Sequence, residues 1–355
     1  MSDLSAVAAK TGILIVNLGT PDAPTRPAVY RYLKQFLLDP RVIDINPVSR
    51  NLLVRGIIAP FRSGKSAKAY QSLWTEQGSP LKFNGERLVA ILRTLLGEKY
   101  TVELAMRYQS PSIPDAIDRL MAAKVSKIIV FPLFPQYASA STGSVFEEVM
   151  RVLSTKQLVP SVDFISAYST WEPMILLYVE NARKYNIASY DHILFSYHGL
   201  PQRQIRKGDA FNHCLQSADC CQTLTPTNQL CYSAQCYATT RAIVAQLGLR
   251  PDQYTVCFQS RLGNDPWVQP YTVKVIEQLA KEKKVRRMLV FCPAFTSDCL
   301  ETTVEVLEEY QEDFAKWGGE RLDLVESLND SPAWAEAIAG MIRERNKSVS
   351  GGMLV

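Results

Sequence analysis

The chain contains little of several features that commonly reveal function. Its 355 residues include only three histidines, and its formal net charge is +4. No block rich in Lys and Arg is present, so we expect no nucleic-acid partner. No apolar run approaches the ~18 residues of a membrane-spanning helix, and residues 1–10 lack the basic-then-apolar pattern of a secretory signal peptide. These absences predict a cytoplasmic protein, while local charge leaves peripheral contact with the inner membrane open.

The composition is that of a globular protein, with 47% hydrophobic and 21% charged residues. Because single hydrophobic cores stop growing near ~250–300 residues, the length predicts two domains. Short apolar runs alternate with helix-like segments, which indicates parallel sheets with crossover helices. The expected strands are 13–16, 102–105, 127–131, 193–195 and 288–291. The expected helices are 85–96, 113–123, 144–153, 239–246, 273–281 and 300–314.

Three matched segments indicate an internal duplication. The matches are 13–21 with 193–201, 100–102 with 254–256, and 127–132 with 287–293. The strand after each Tyr-Thr-Val ends in an arginine motif, at Arg107 and at Arg261. This order predicts an α/β fold with two Rossmann-like domains, 1–165 and 166–355. Strand-end loops of both domains would line the cleft between them.

A histidine and a carboxylate follow two of the expected strands. His198 lies in Ser196-Tyr197-His198-Gly199, at the carboxyl end of the expected strand 193–195. Ligands bind at the carboxyl ends of the strands in parallel sheets, and imidazole exchanges protons near neutral pH. Glu301 follows Thr296-Ser297-Asp298-Cys299. Imidazole with carboxylate suits several transition metals, including Fe(II). Glu301, Glu305 and Glu308 would form one ridge on an α-helix, for which a solvated face is the ordinary explanation.

Five of the eight cysteines lie close together: Cys214, Cys220, Cys221, Cys231 and Cys236. In a reducing compartment such a cluster indicates metal binding rather than disulfides. The spacing is not a paired C-x-x-C pattern and leaves zinc and an iron–sulfur cluster open. Adjacent cysteines seldom both bind one metal centre, so one of Cys220 and Cys221 is expected to be spare.

Residues 34–62 combine apolar side chains with four arginines, and we call them the lip. They predict either an amphipathic flap against a membrane or apolar ligand, or an ordinary surface helix pair. Residues 59–66 imitate a phosphate-binding loop, but Pro60 removes an amide donor that such a loop needs. Nucleotide binding is therefore disfavoured.

Several motifs together resemble the ferrochelatase family, whose members insert Fe(II) into a porphyrin to make haem. The resemblance spans roughly residues 12–315. The motifs are Asn17-Leu18-Gly19-Thr20-Pro21, Tyr70 with Gly78-Ser79-Pro80, Met106-Arg107-Tyr108, Pro135-Gln136-Tyr137 with Ser141-Thr142-Gly143-Ser144, Ser196-Tyr197-His198-Gly199-Leu200-Pro201, Gln259-Ser260-Arg261 with Pro266-Trp267, and Phe295-Thr296-Ser297-Asp298 with Glu301-Thr302.

The resemblance implies two chelatase-type domains around a porphyrin cleft, with a C-terminal helix. His198 and Glu301 would be catalytic, contacting the metal or taking the pyrrole protons, and Glu305 with Glu308 would continue an acidic path. The implied substrate-binding residues are Arg62, Tyr70, Arg107, Tyr108, Trp267, Phe295 and Glu305. The implied partners are the porphyrin and ferrous iron, with peripheral membrane contact through the lip.

Two departures from the family pattern are visible. Cys299 stands where members commonly carry His, so no acid–base role is expected there. Residues from about 211 to 236 contain an insertion, here called the cysteine segment, which resembles a bacterial subset with an internal [2Fe–2S] cluster. The favoured ligands are Cys214, Cys221, Cys231 and Cys236, with Cys220 as the alternate.

Several alternatives remain open at this stage. A chelatase for another divalent metal and a non-catalytic tetrapyrrole-binding protein share many of the same features. The sequence does not distinguish protoporphyrin IX from coproporphyrin III as substrate. It also leaves open the oligomeric state, the role of the cluster, and whether His198 acts as base or metal ligand.

Overall fold

Two four-stranded parallel sheets form the framework of the computed structural model, which describes residues 10–261, 263 and 265–350. The first sheet has the order β2-β1-β3-β4 and the second β6-β5-β7-β8. The strands are β1 (Lys10–Gly19), β2 (Tyr100–Tyr108), β3 (Val125–Pro132), β4 (Ser161–Phe164), β5 (His192–His198), β6 (Tyr254–Gln259), β7 (Arg287–Phe291) and β8 (Arg321–Leu324). The α/β fold class and all five expected strands are confirmed.

Helices cover both faces of each sheet. The α-helices are α1 (Arg26–Leu37), α2 (Pro47–Leu52), α3 (Ala59–Leu73), α4 (Pro80–Leu96), α5 (Ile113–Ala122), α6 (Ser144–Leu153), α7 (Glu172–Arg183), α8 (Gln202–Lys207), α9 (Tyr232–Leu247), α10 (Thr272–Lys281), α11 (Gln311–Lys316) and α12 (Pro332–Ser350). Leu53–Ile58, Ser139–Gly143 and Glu301–Tyr310 are π-helical, and Ile187–Ser189 and Pro251–Gln253 are 3-10 turns.

The burial of β1 shows why apolar runs become central strands. Ile13 and Ile15 belong to a core cluster that includes residues of α4, whereas Leu14 and Val16 belong to a second cluster with residues of α5 and α6. Successive side chains of a strand point to opposite faces, so a strand covered on both faces needs four apolar residues in succession. All four are 0% exposed.

Local signals define several helix ends. α5 begins after Ser112, whose side chain accepts the Asp115 N–H. α9 ends at Gly248, which has the left-handed conformation (φ +67°) that glycine adopts at low cost. These signals are readable in the sequence.

One prediction about helices needs correction. Residues 300–314 are not one α-helix, because Glu301–Tyr310 is π-helical and only α11 follows as α-helix. Residues 59–66, where a phosphate-binding loop was disfavoured, lie within α3, so their backbone amides are engaged in a helix.

The last helix of the second half packs on the first half. α12 contacts α4, Arg345 pairs with Asp163 in β4 at 3.0 Å, and Thr11 of β1 donates to Asn346 at 3.3 Å. Helix α12 therefore ties the two halves together across the predicted boundary. The boundary near residue 165 stays a prediction, and residues 1–9 and 351–355 of the predicted domains lie outside the described residues.

None of the helices in the described part of the chain is both long enough and apolar enough to cross a membrane.

Candidate functional site

His198 is the last residue of β5, the strand between β6 and β7 in the second sheet. The following Gly199 has no room for a side chain, because a Cβ there would lie 2.8 Å from the carbonyl oxygen of Gln259. Gly199 N–H instead donates to that carbonyl at 2.8 Å. The close approach fixes the point where the chain leaves the sheet and presents His198 at the carboxyl edge.

The hydrogen bond of the imidazole defines its tautomer. Nδ1 of His198 lies 2.8 Å from the carbonyl oxygen of Gly199. A carbonyl oxygen only accepts, so Nδ1 carries the proton of the neutral ring and Nε2 keeps a free lone pair. Nε2 can therefore take a proton or bind a metal ion.

Two aromatic residues flank this imidazole. The rings of Trp267 and Phe295 have centroids 6.5 and 6.4 Å from that of His198. Both were predicted substrate-binding residues. Trp267 lies after β6 and Phe295 after β7. The structure brings them together around His198 and forms an aromatic wall suited to a flat ligand.

Glu301 opens the π-helix Glu301–Tyr310. Its carboxylate accepts from the Cys299 thiol, whose pKa burial raises well above its usual value, with Glu301 adding to the effect. The thiol is thus neutral near pH 7, in agreement with the expectation that Cys299 has no acid–base role.

Glu305 is the most strongly perturbed carboxyl group of the site. Burial, followed by the charges of Glu301 and Glu309, raises its pKa from 4.5 to about 7, against the lowering effect of the hydrogen bonds from Ser260 and Gln259. Ser260 Oγ donates to Glu305 Oε2 at 2.8 Å and Gln259 Nε2 donates to it at 3.2 Å. Glu305 can therefore exchange a proton near neutral pH.

The π-helix Glu301–Tyr310 carries further carboxylates beyond Glu305. Its hydrogen bonds close over five residues instead of four, so its turn is wider than that of an α-helix. The charge of Glu309 helps to raise the pKa of Glu305, while the Glu308 carboxylate accepts from Ser72 of α3 at 3.5 Å. That Glu308 continues an acidic path stays a prediction.

Tyr70 lies close to Glu301 but is packed rather than open. It is 7% exposed and makes an edge contact with Tyr32, with ring centroids 6.2 Å apart. Burial raises the pKa of both phenols, and the Glu301 charge contributes to each shift. Tyr70 joins Leu300 and Val304 in an apolar cluster that connects α3 to the π-helix.

Arg107 and Tyr108 lie in a buried network around Asp39 of the lip. Arg107 Nη2 pairs with Asp39 Oδ2 at 2.8 Å. Tyr108 donates to the same oxygen at 2.9 Å and Ser144 at 2.5 Å. Tyr108 is 0% exposed. The two residues therefore anchor the lip to the end of β2 instead of forming open cleft surface.

The lip has one buried and one exposed face. Leu37, Ile43 and Val54 are buried together. Such a buried face is what an ordinary surface helix pair would have. On the outside, Val48, Leu52, Ile57 and Phe61 are between 57% and 79% exposed. The predicted substrate residue Arg62 is also exposed, on α3 beside Phe61. The buried face fits the ordinary surface helix, and contact of the exposed face with a membrane or an apolar ligand stays a prediction.

The cysteine segment brings four thiols into a chain of contacts. Cys231, at the start of α9, is hydrogen-bonded by both Cys221 and Cys214. The sulfurs of Cys220 and Cys221 are 3.6 Å apart. The bond from Cys221 lowers the pKa of Cys231 to about 6 against the effect of burial. Cys236 is 0% exposed and bonds to Tyr232 instead.

No group of three or more His, Cys, Asp or Glu side chains in residues 10–261, 263 and 265–350 is arranged to hold a single metal ion. The cysteines of the described residues are all free thiols. The thiol contacts in the cysteine segment are pairwise, and four thiolates are the donor set of a [2Fe–2S] cluster. A cluster in this segment stays a prediction.

A cavity of about 500 Å³ separates the cysteine segment from the lip. Arg41 and Asp44 line it on the lip side, and Phe211, Cys214 and Tyr232 on the other. Tyr232 also donates to the carbonyl oxygen of His198 at 2.8 Å. The cysteine segment is therefore connected to the backbone of the site.

Sequence reasoning missed Asp39, Gln259 and Tyr232. Gln259 lay in a motif that was quoted without a role, and pairing of β5 with β6 would have placed it beside His198. Asp39 and Tyr232 carry no sequence signal for their partners, because those contacts cross between elements distant in the chain.

The fold is that of a chelatase. SirB from Bacillus subtilis, solved with Fe3+, has a TM-score of 0.53 at 12% identity and covers 97% of this chain and 98% of its own. The sirohydrochlorin chelatase SirB from Bacillus subtilis subspecies spizizenii, in complex with cobalt, has a TM-score of 0.52 at 11% identity with the same coverage. At such identity the likeness shows the fold alone.

The sequence comparisons define the family. A model described as ferrochelatase matches residues 10–346. The ferrochelatase of Legionella pneumophila (strain Lens) is 41% identical over 336 residues, 95% of this chain and 99% of that protein. That of Coxiella burnetii (strain Dugway 5J108-111) is 42% identical over 335 residues, 94% of each chain. The chain belongs to the ferrochelatase family, as the motifs predicted.

Proposed function

We propose that this chain inserts Fe(II) into a porphyrin in haem biosynthesis, with His198 and Glu301 as the catalytic pair. Membership of the ferrochelatase family at about 41% identity over nearly the whole chain supports the activity. The observation that supports the roles is the position of His198, between two aromatic rings at the end of β5. The neighbouring π-helix supplies the carboxylates.

Metal insertion requires the removal of two protons. A free-base porphyrin carries two N–H groups, and both must leave before a divalent ion occupies the centre. Nε2 of His198 holds a lone pair that can accept one of these protons. Glu305, with a pKa of about 7, can receive a proton in turn. The products are the iron porphyrin and two protons, so charge is balanced.

The carboxylates also suit the incoming metal. Glu301, Glu305 and Glu309 are hard oxygen donors that, with imidazole, match the preferences of Fe(II). Burial keeps part of Glu305 protonated at pH 7, and a cation would favour its deprotonated form. Metal delivery and proton release would then occur on one face of the helix.

Anaerobic incubation with Fe(II) and protoporphyrin IX or coproporphyrin III, followed by absorption spectroscopy of the product, tests this function. We expect an iron porphyrin from at least one substrate at a rate well above the protein-free reaction. Parallel assays with Co(II) and Zn(II) compare the alternative metals. Porphyrin binding without insertion of any metal would support the non-catalytic alternative and overturn the proposal.

The cysteine segment is proposed to hold a [2Fe–2S] cluster. The contacts among Cys214, Cys220, Cys221 and Cys231 favour these four as ligands, against the expectation that one of the adjacent Cys220 and Cys221 is spare. Cys236 becomes the alternate because its thiol bonds to Tyr232. A bound cluster would supply one-electron redox chemistry and would cross-link residues 214–231. Because Tyr232 donates to the carbonyl oxygen of His198, this cross-link would also support the backbone at His198.

Single Cys→Ser variants test the ligand set. We expect Cys231→Ser to lose the visible absorption of the cluster together with its iron and sulfide content, while Cys236→Ser retains them. We expect Cys220→Ser to lose the cluster as well. If Cys220→Ser keeps the cluster and Cys236→Ser loses it, the ligand set predicted from the sequence is restored. An unchanged spectrum in Cys231→Ser would exclude it as an essential ligand.

The exposed face of the lip is proposed to contact a membrane surface peripherally. Leu52 and Phe61 are 69% and 79% exposed, and Arg55 and Arg62 lie beside them in the sequence. Apolar residues with flanking arginines suit an interface with anionic lipids. Vesicle sedimentation should show weaker binding of Leu52→Ser/Phe61→Ser than of the parent protein, and equal binding would remove the lip from membrane contact.

A further inference from the structure

Gln259 is a buried amide that connects the central strand of the second sheet to the π-helix. It is the last residue of β6, pairs in register with His198 and is 3% exposed. Its side chain makes hydrogen bonds to Ser196, Glu301 and Glu305. A buried polar group with all its partners satisfied holds those partners rigidly.

The orientation of this amide follows from its partners. Nε2 lies 3.2 Å from the backbone carbonyl oxygen of Glu301 and 3.2 Å from Glu305 Oε2. A backbone carbonyl only accepts, so the NH2 group must face the helix. Oε1 then faces Ser196, whose hydroxyl donates to it at 2.6 Å. Both N–H groups are therefore used on the first turn of the π-helix.

The helix needs such an anchor. Pure π-helical segments are rare because their wide turn packs poorly, and they are retained mainly at functional sites. If the first turn relaxed towards an α-helix, Glu301 and Glu305 would still share a face, but they would shift relative to β6 and to each other. Gln259 holds the backbone of one and the carboxylate of the other, and Ser260 adds a second bond to Glu305 at 2.8 Å.

We propose that Gln259 is a positioning residue for iron insertion, because it holds Glu301 and Glu305 in the spacing that receives Fe(II). Ser196 acts behind it by orienting the amide. Gln259 does not itself contact substrate. This inference rests on the proposed function of the same site.

The test is steady-state kinetics of Gln259→Leu with Fe(II) and porphyrin varied separately. Gln259→Leu removes both bonds at similar side-chain size, and we expect kcat/KM for Fe(II) to fall by roughly tenfold to a hundredfold, in line with the loss of a hydrogen bond to a charged group. The KM for porphyrin should change by less than about twofold, since the aromatic wall does not depend on the amide.

A matched control is Gln136→Leu in the first half. Gln136 is 2% exposed and donates to Thr239 at 2.9 Å, so its replacement also removes a buried amide. This variant should lower Tm without changing the ratio of the two KM values. If Gln259→Leu behaves in the same way, Gln259 is only structural and the inference fails.

A milder variant keeps the test informative if Gln259→Leu does not fold. Ser196→Ala leaves Gln259 and both carboxylates in place but removes the hydroxyl that orients the amide. We expect a rise of about threefold in the KM for Fe(II) alone, corresponding to part of one hydrogen bond. An unchanged KM for Fe(II) would contradict the inference, whereas absence of iron insertion by the parent protein would contradict the proposed function instead.

Discussion

The two halves of the molecule share a topology but treat their carboxylates differently. Asn17 pairs with Met106 and Gly19 with Tyr108, while His198 pairs with Gln259. With the repeat of 13–21 in 193–201, this register makes Leu18 the counterpart of His198. It also makes Gln259, rather than the predicted Arg261, the counterpart of Arg107.

This one difference changes the electrostatics at the strand end. In the first half Arg107 neutralises the buried Asp39. In the second half the neutral amide of Gln259 faces Glu305, and the pKa of Glu305 rises to about 7 because burial and neighbouring carboxylates disfavour its charge. An ion pair makes the first site a structural anchor. Among the described residues no cation forms an ion pair with Glu305, so its carboxylate is able to meet a proton or a metal.

Two of the three π-helices in the described residues repeat the contrast. Each of these two follows the third strand of its half in sequence, Ser139–Gly143 after β3 and Glu301–Tyr310 after β7. The first carries hydroxyls and a glycine, and the second carries carboxylates. The two halves thus provide equivalent positions that carry different side chains.

The largest effect on activity is expected when His198 at the end of β5 is replaced by the residue at the equivalent position of β1. His198→Leu, which copies Leu18, should reduce the rate of metal insertion by roughly 10²–10⁴-fold, the usual contribution of a general base, as should His198→Ala. Porphyrin should still bind, as measured by quenching of its fluorescence. The control is His192→Gln at the other end of the same strand, where only a bond to Thr255 is lost. Near-normal turnover of His198→Ala would remove His198 from the mechanism.

The second largest effect is expected from Arg107→Gln, which places in the first half the neutral amide that Gln259 provides in the second. Arg107→Gln leaves Asp39, 2% exposed in its side chain, without its cation. Breaking a buried ion pair costs about 3 kcal/mol or more, so we expect the free energy of unfolding in urea to fall by about that amount. Arg119→Gln, which loses a pair with Glu103 from a side chain that is 47% exposed, should cost less than about 1 kcal/mol. Equal losses would show that the Asp39 network is no anchor.

The third effect concerns the protonation of Glu305. A carboxyl whose pKa rises from 4.5 to about 7 on folding binds more protons in the folded state between these pH values. Stability therefore falls as pH rises through this window. Relative to the parent protein, Glu305→Gln should gain up to about 3 kcal/mol between pH 4 and pH 8, since one pKa unit corresponds to ~1.4 kcal/mol.

Urea unfolding at several pH values measures this difference. Glu308→Gln is the control, because the exposed Glu308 carboxylate only meets Ser72 and should show a flat difference. A pH-dependent gain in the free energy of unfolding for Glu308→Gln, with none for Glu305→Gln, would mean that the proton is bound at Glu308 rather than at Glu305.

The chain's local patterns were sufficient for the framework and for the centre of the site. Apolar runs of the kind seen in Ile13–Val16 require burial on both faces, so the parallel sheets follow from them. His198 and Glu301 could be singled out because strand ends bring polar loops to one edge. Trp267 and Phe295 were added by the family resemblance, and the structure places both beside His198.

Other features were decided only by the tertiary structure. The support that Gln259 gives to the π-helix depends on a contact between two elements. The approach of Cys231 to Cys214 and Cys221 depends on the path of a loop. The sequence by itself determined the sheets and the family and singled out the proposed catalytic pair, because these follow from periodicity and short motifs. Partners of buried charges, such as Arg107 for Asp39, were decided by packing, because such contacts join residues far apart in the chain.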